Sequence, residues 1–584
     1  MDVVDKFRSG QLPPPDKQWA WMLYGSGLDN FGRDGKAEQI DVPTIGPREL
    51  LAQIDASGIC FSDIKIIKAG PDHPRLFGRD LANDPIIIGH EVAITIVGVG
   101  EEMTGEYKVG DRFVVQAEIY FHGKNLAFGY MLYGGFEQYV KLGDEVLRGD
   151  DGCYLIPINN PETGYAEAAL AEPWACVVCS YRWMHRREGK AGGTMWFVGM
   201  DGAPAELSLG EVVNWPAAGK IVVTDAPAGL AAEIAALAAK WGVEVITRDG
   251  LAGMDIAAVA KEVGVEEGLA DVFILGNGRL DVIEACAAAL GTEGILSIVA
   301  AEAPAQPASL DVGRVHYDYI RFVGCAGPDI SEGYRETREP KTKSGGKFWV
   351  CGAGGPMGQM HVQWGIEQPE PPAIIVASDV DHNRLAVVAE RFSAEAQSRG
   401  SRLICLNPKE LGPEGFDAAL REIAPEGFDD VCCLVPVPAL ISDCSKYVGP
   451  KGVYNIFAGV GRGTMASIDL SPIVTKHAGL QGTSGSSIED LEMTLRLAEA
   501  GQLNTNMSVA AICGIGGAKD GLHAVMDARY PGKTVIYPHI EDLSLIGVDE
   551  LDETLPMVAE KMAPGKVWSR AAEIALLRKF LQSH

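Results

Sequence analysis

The chain reads as an α/β protein, a β-rich part followed by two successive parallel-sheet parts. Three observations predict this. Residues 19 to about 155 alternate short apolar runs with Gly and Pro turns, the mark of short strands. From Gly193 the order changes to strand, glycine turn, helix, strand, which builds a doubly wound parallel sheet. That order then begins again at Lys347. Asp271-Val-Phe-Ile-Leu lines up with Asp430-Val-Cys-Cys-Leu, and the glycine turns at Gly199 and Gly352 keep nearly the same offset. Elements recurring in one order at a near-constant offset predict a tandem duplication.

Taken in order, residues 1–18 end in Pro13-Pro14-Pro15 and predict a flexible arm. Residues 19–190 form the β-rich domain, closing on a helical pattern at 167–186. Residues 191–330 are the first α/β unit: strands at Thr194–Val198, Lys220–Thr224, Asp271–Leu275 and Gly294–Ala300, and an alanine-rich helix at Gly229–Trp241. Ser331–Gly346, charged and Gly-rich, predicts a linker. Residues 347–514 are the second unit, with strands at Lys347–Val350, Ala373–Ala377, Asp430–Leu434 and Gly452–Phe457. Gly532–Pro538 adds one more strand, and 542–584 read as a helical tail, either a subunit contact or a plain cap.

Size and charge exclude several functions. The 584 residues suffice for three or four domains at ~150 residues each. A formal charge of −29 opposes nucleic acid and anionic membrane surfaces. No apolar run reaches the ~18–20 residues that span a bilayer. The N-terminus carries no apolar core of a signal peptide, so a cytoplasmic location is expected. The twelve scattered cysteines then read as reduced thiols, including Cys176 and Cys179 despite their redox-motif spacing.

The stretch from Ser57 to Glu91 holds the chemistry. Cys60, Ser62 and Asp63 lie within four residues, and Gly89-His90-Glu91 follows. Glu172, in Ala171-Glu172-Pro173, supplies a further carboxylate. Cys60, His90 and Glu172 suit the protein side of a catalytic zinc site with one position open. Ser62 is placed to take a proton from substrate, Asp63 to orient a ligand imidazole, and Glu91 to act behind the ligands or as a transient ligand.

With Gly110-Asp111-Arg112 between them, these segments resemble the catalytic domain of the medium-chain zinc-dependent alcohol dehydrogenases. The Glu-Pro pair resembles the polyol branch, which includes sorbitol dehydrogenase and sorbose-phosphate reductase. The resemblance implies a GroES-like catalytic domain completed by residues 515–541, Rossmann-like nucleotide domains, and metal-ligand roles for Cys60, His90 and Glu172. Two departures stand out. Val114–Gly134 contains no cysteine, where many members hold a second, structural zinc, so one zinc per chain is expected. That region carries Tyr120, Phe121, His122, Phe128, Tyr130 and Tyr133 instead, read as loop packing with one or two lining a sugar pocket; Glu118 is a candidate contact to substrate hydroxyls. The second departure is the extra α/β unit.

In the second unit, Gly352, Gly354, Gly355, Pro356, Met357 and Gly358 join a strand to a helix, the arrangement that admits a pyrophosphate to a helix N-terminus. Asp379 follows at the end of the next strand, where a carboxylate accepts ribose hydroxyls and repels a 2′-phosphate. NAD is favoured over NADP, a preference tempered by Arg384. The first unit has Asp201 in its turn and Ala205 in place of the last glycine, and is read as degenerate. The expected protein is a zinc-dependent, NAD-linked dehydrogenase of a polyol, sugar or sugar derivative, phosphorylated or not, working as a homo-oligomer (dimer or tetramer). The alternatives are an epimerase with no net turnover of cofactor and a non-catalytic binding protein on this scaffold.

Overall fold

The structure is a computed structural model describing residues 2–204, 206–248, 250, 255–264, 267–277 and 279–581. Ala205, singled out above, lies outside them. The chain divides into two compact units, residues 1–177 with 485–584, and residues 178–484.

The first unit is built on an eight-stranded sheet. Its order is Leu155–Pro157, Arg112–Val115, Glu91–Val99, Leu50–Gly58, Lys533–Tyr537, Val509–Gly514 and Ile546–Gly547, with Tyr139–Leu142 also pairing Leu50–Gly58. Leu50–Gly58 is buried at every position and pairs antiparallel with Glu91–Val99, Tyr139–Leu142 and Lys533–Tyr537. It ends where the candidate metal residues begin.

Three boundaries differ from the sequence reading. Residues 485–514 belong to this first unit rather than to the second α/β domain. Val509–Gly514 is an apolar strand that pairs in parallel with Lys533–Tyr537, and Trp174 Nε1 donates to Ser508 Oγ at 3.0 Å. Residues 2–10 are not a flexible arm. Asp2 caps a helix at Val3–Arg8, whose Val4 and Phe7 are buried, and Phe7 packs edge-on against Tyr165 and His539. The helical region at 167–186 is two short helices, Tyr165–Ala169 and Ala171–Cys179.

The C-terminal segment is part of the first unit. Its helix Arg570–Leu581 brings Glu573, 1% exposed, to the start of the helix Tyr165–Ala169. The Glu573 carboxylate accepts from the Tyr165 and Ala166 N–H groups at 2.8 and 2.9 Å and from the Tyr537 hydroxyl at 3.0 Å. An anion at unsatisfied helical N–H groups is stabilising, so this contact anchors the segment.

The second unit holds one twelve-stranded sheet. Its order is Val245–Arg248, Lys220–Thr224, Thr194–Gly199, Leu269–Leu275, Leu290–Val299, Arg321–Cys325, then Gly479–Gln481, Val448–Ile456, Phe428–Cys433, Lys347–Cys351, Ile374–Ser378 and Arg402–Leu406. Each half, numbered along the chain, is a parallel 3-2-1-4-5-6 sheet, the doubly wound dinucleotide-binding order. The two sixth strands meet antiparallel at Phe322 and Leu480. Beside that joint, Ala308–Asp311 and Met465–Ile468 also pair antiparallel, with Ala308 opposite Ile468 and Asp311 opposite Met465. This is a two-fold arrangement inside one chain, and a single apolar core runs through both halves.

Contacts repeat with the strands. Trp196 Nε1 donates to Thr224 Oγ1 at 3.0 Å, and Trp349 Nε1 to Ser378 Oγ at 2.9 Å. Arg186 pairs with buried Asp271, which also accepts from the Lys190 N–H. Arg338 pairs with buried Asp430, which also accepts from the Lys343 N–H. The segment read as a linker, 331–346, is therefore packed structure. It leads the second half as 183–190 leads the first, and Tyr334 is buried with its hydroxyl on Asp271.

No helix among the described residues is long and apolar enough to cross a membrane. All twelve cysteines are free, and Cys179 is buried.

Candidate active site

Cys60 stands at the turn between the strand Leu50–Gly58 and the helix Phe61–Ala69. Its N–H donates to Asp63 Oδ2 at 2.8 Å, which closes the first helical turn and fixes the direction of the thiol. The other Asp63 oxygen lies 3.4 Å from His90 Nδ1. Both of these atoms are buried without a hydrogen bond. Ser62 Oγ sits 3.5 Å from the Cys60 sulfur. His90 follows Gly89, whose φ of 98° brings the backbone against the Phe136 ring where no side chain would fit.

The Cys60 sulfur, a His90 ring nitrogen and a Glu91 carboxylate oxygen all lie within 4.8 Å of one another. Gly58 makes room for this carboxylate, since a Cβ there would sit 2.1 Å from Glu91 Oε2. Glu91 Oε1 pairs with the Lys533 ammonium, and both side chains are buried. Burial alone would strip the proton from Lys533, but Glu91 and the Cys60 sulfur hold it charged. Burial likewise opposes a charged His90, yet Asp63 and Cys60 raise it well above the ordinary imidazole value.

Glu172 stands just outside the compact set. It is 8% exposed, on the helix Ala171–Cys179. Burial pushes its carboxyl up to about 7, against the pull of His90 and with a push from Glu91. The expected trio is thus met directly at Cys60 and His90, while the third ligand atom within range belongs to Glu91, the neighbour of His90 in sequence. A thiol, an imidazole and carboxylates with orphaned polar atoms, in surroundings that favour positive charge, fit a borderline-soft cation such as zinc.

Next to His90 lies a polar group that sequence reading only partly found. The Tyr130 ring is 6.0 Å from the His90 ring and 5.6 Å from His73. The Arg75 guanidinium lies 5.0 Å over Tyr130 and donates to Glu118 Oε1 at 2.5 Å. Glu118 Oε2 accepts from Asn125 at 2.8 Å. Arg75 and Lys533 were missed. A lysine interrupting the apolar run before Val535 was the one available signal, whereas Arg75 sits in an unremarkable turn.

The second unit carries the glycine turn. Gly352 has φ 91°, and Gly358 packs so closely that a Cβ would lie 2.2 Å from Gly352 O. Gly354 is covered by Asp379 and Arg384, and its N–H donates to Asp379 Oδ2 at 2.9 Å. Gly355 faces open space at the start of the helix Pro356–Glu367, so Pro356, Met357 and Gly358 form that helix's first turn. A tight turn, one open glycine and a helix N-terminus fit a pyrophosphate.

The corresponding turn in the first half differs. Gly199 is pinned, since a Cβ there would lie 1.9 Å from Asp225 O. Between the strands Thr194–Gly199 and Lys220–Thr224, the described residues form a 3₁₀ turn at Gly210–Asn214 and no α-helix.

Comparison with known proteins adds a family. Residues 46–148 match the family model described as "Alcohol dehydrogenase GroES-like domain". That span contains Cys60, Ser62, Asp63, His90 and Glu91. The chain carries the GroES-like domain of the alcohol dehydrogenases over that span. This dehydrogenase is 28% identical over 314 residues to a mannitol-1-phosphate 5-dehydrogenase of Aliivibrio fischeri, covering 50% of this chain and 72% of that relative. Over the same length it is 27% identical to the uncharacterized protein YggP of Escherichia coli, again covering 50% and 72%. It is 30% identical over 179 residues to an L-sorbose 1-phosphate reductase of Klebsiella pneumoniae, covering 30% of this chain and 41% of that one. The dehydrogenase is an oxidoreductase of the alcohol class whose chain holds an eight-stranded sheet and a twelve-stranded sheet of two doubly wound halves.

Proposed function

We propose that this dehydrogenase transfers hydride between NAD(H) and a secondary hydroxyl of a polyol, sugar or sugar derivative, using one zinc per chain. The observation that carries the reading is the half-buried Cys60 with buried His90 and Glu91, and buried Glu172 beside them. Cys60, His90 and Glu172 would hold the metal. Glu172 is preferred as third ligand because Glu91 is already matched by Lys533, whereas Glu172 is a buried carboxyl raised by desolvation. Zinc bound there supplies a Lewis acid that lowers the pKa of an alcohol.

The chain's own residues do the rest. Asp63 faces the His90 ring at Nδ1, and Lys533 holds Glu91 in place. Ser62 Oγ takes the substrate proton. Arg75, Glu118 and Asn125 offer donors and acceptors to further hydroxyls. Arg75 is already paired with Glu118, which favours a neutral polyol over a phosphate ester. Asp379 favours NAD over NADP. Gly355 and the helix after it take the pyrophosphate in the second half, and the first half binds no dinucleotide. The protein is read as cytoplasmic, and a homo-oligomer would form through surfaces other than the internal sheet joint.

The test is a panel of polyols, sugars and sugar phosphates with NAD, read as NADH absorbance, alongside zinc content. Cys60→Ser is expected to lose both zinc and turnover. Wild-type rates in that variant would overturn the assignment, and substrate epimerised without NADH accumulating would replace it with an epimerase. Zinc retained in Glu172→Ala but lost in Glu91→Ala would move the third ligand to Glu91.

A further inference from the structure

Three thiols converge in the second half-sheet, none of them given a role above. Cys351 ends the strand Lys347–Cys351, one residue before Gly352. Cys433 ends the adjacent strand Phe428–Cys433 and is its direct register partner. Cys444 ends the helix Pro438–Cys444. The three sulfurs lie within 4.8 Å of one another. They are 5%, 0% and 0% exposed, in a core that includes Trp349, Val431, Ile441 and Ile456.

Nothing in the proposed dehydrogenase chemistry uses them. Isolated buried cysteines behave as small apolar side chains, and Cys286 and Cys513 elsewhere in the chain do so singly. Convergence of three from three separate elements needs more than that. In the cluster, the Cys351 and Cys444 thiols hydrogen-bond to Cys433 and hold it well below its ordinary value, against the effect of burial.

The donor set selects the ion. Three sulfurs with no imidazole or carboxylate among them suit a soft cation, and soft thiolates favour Cu(I) or zinc. Structural zinc demands four ligands in a tetrahedron, and a fourth protein donor is absent from the set. We propose that Cys351, Cys433 and Cys444 form a three-sulfur site for Cu(I) beneath the dinucleotide turn. Binding exchanges the three S–H protons for three Cu–S bonds, and the protons leave to solvent. No electron is transferred.

The test uses the full chain carrying Cys60→Ser, which removes the sulfur of the other candidate centre. The reduced protein is titrated anaerobically with Cu(I) against a chromophoric Cu(I) chelator, both as native protein and during refolding, so that slow entry into a buried site does not hide it. One equivalent of Cu(I) withheld from the chelator, with sulfur-to-copper charge-transfer absorption, is expected. Adding Cys433→Ser or Cys444→Ser should abolish it. X-ray absorption on the Cys60→Ser parent, which depends on no further variant, should give three Cu–S bonds. The site is overturned if the chelator keeps all the copper, if copper is two-coordinate, or if the Cys433→Ser and Cys444→Ser proteins hold as much as the parent.

Discussion

Asp379 has two tasks that one carboxylate can combine. It accepts from the Gly354 N–H through Oδ2 and from the Asp381 N–H through Oδ1, bracing the turn. Its charge would also repel a 2′-phosphate. Asp379→Asn keeps an acceptor and removes the charge. The ratio of kcat/KM for NADP to that for NAD is expected to rise by about tenfold or more, equivalent to about 1.4 kcal/mol. Asp55 makes a different point about charge. Burial pushes its carboxyl up to about 7, against Arg112 and the hydrogen bonds from Thr95 and Gln53, and with a small push from Glu573. An unfolded chain leaves this group near ~3.9. The folded protein binds the proton more tightly, so the stabilisation is complete below pH ~4 and disappears as pH rises through about 7. Urea midpoints should fall between pH 4 and 7.5, and Asp55→Asn should flatten that fall, losing stability mainly at the acid end. At this scale the sequence was readable where chemistry is local. Cys60, Ser62 and Asp63 share one helical turn, and His90 adjoins Glu91. Lys533 was not readable, because its partner Glu91 is 442 positions away and no periodicity links them.

Among the elements, the two glycine turns show how much a short stretch decides. Both follow a buried parallel strand, and both strands carry a tryptophan bonded to a hydroxyl on the next strand. Among the described residues, only the second turn opens into an α-helix. A helix N-terminus supplies the free N–H groups and the positive dipole end that a pyrophosphate needs. Titration calorimetry should therefore find one dinucleotide per chain, and two would restore the first half as a binding site. Four strands of each half and their parallel, doubly wound class were legible in the sequence, since apolar runs and glycine turns mark parallel strands strongly. Loop composition was a poorer guide. Ser331–Gly346 looked like a tether because it is charged and Gly-rich, yet Arg338 pairs with buried Asp430, which also accepts from the Lys343 backbone N–H. The first residues looked loose because of three prolines, but Val4 and Phe7 suffice to dock a two-turn helix.

At the level of the whole chain, the division of 485–514 from the second α/β half could not be seen in sequence, because a parallel strand such as Val509–Gly514 reads alike in either sheet. The joint between the half-sheets was equally hidden, since pairing of Ala308–Asp311 with Met465–Ile468 spans residues more than a hundred positions apart. Its covalent continuity has a measurable result. Leu310, 2% exposed, lies opposite Ala466. Leu310→Ala should lower stability by about 2–4 kcal/mol. Because both sides belong to one polypeptide, the loss caused by Leu310→Ala should be the same at every protein concentration, whereas a joint between separate chains would make it grow on dilution.

In an assembly of two identical chains, every mutation at such an axis arrives twice, once on each side, and must be tolerated by both. Here each side is encoded separately. One half could discard the helix after its glycine turn while the other kept it, an asymmetry closed to any pair of identical subunits.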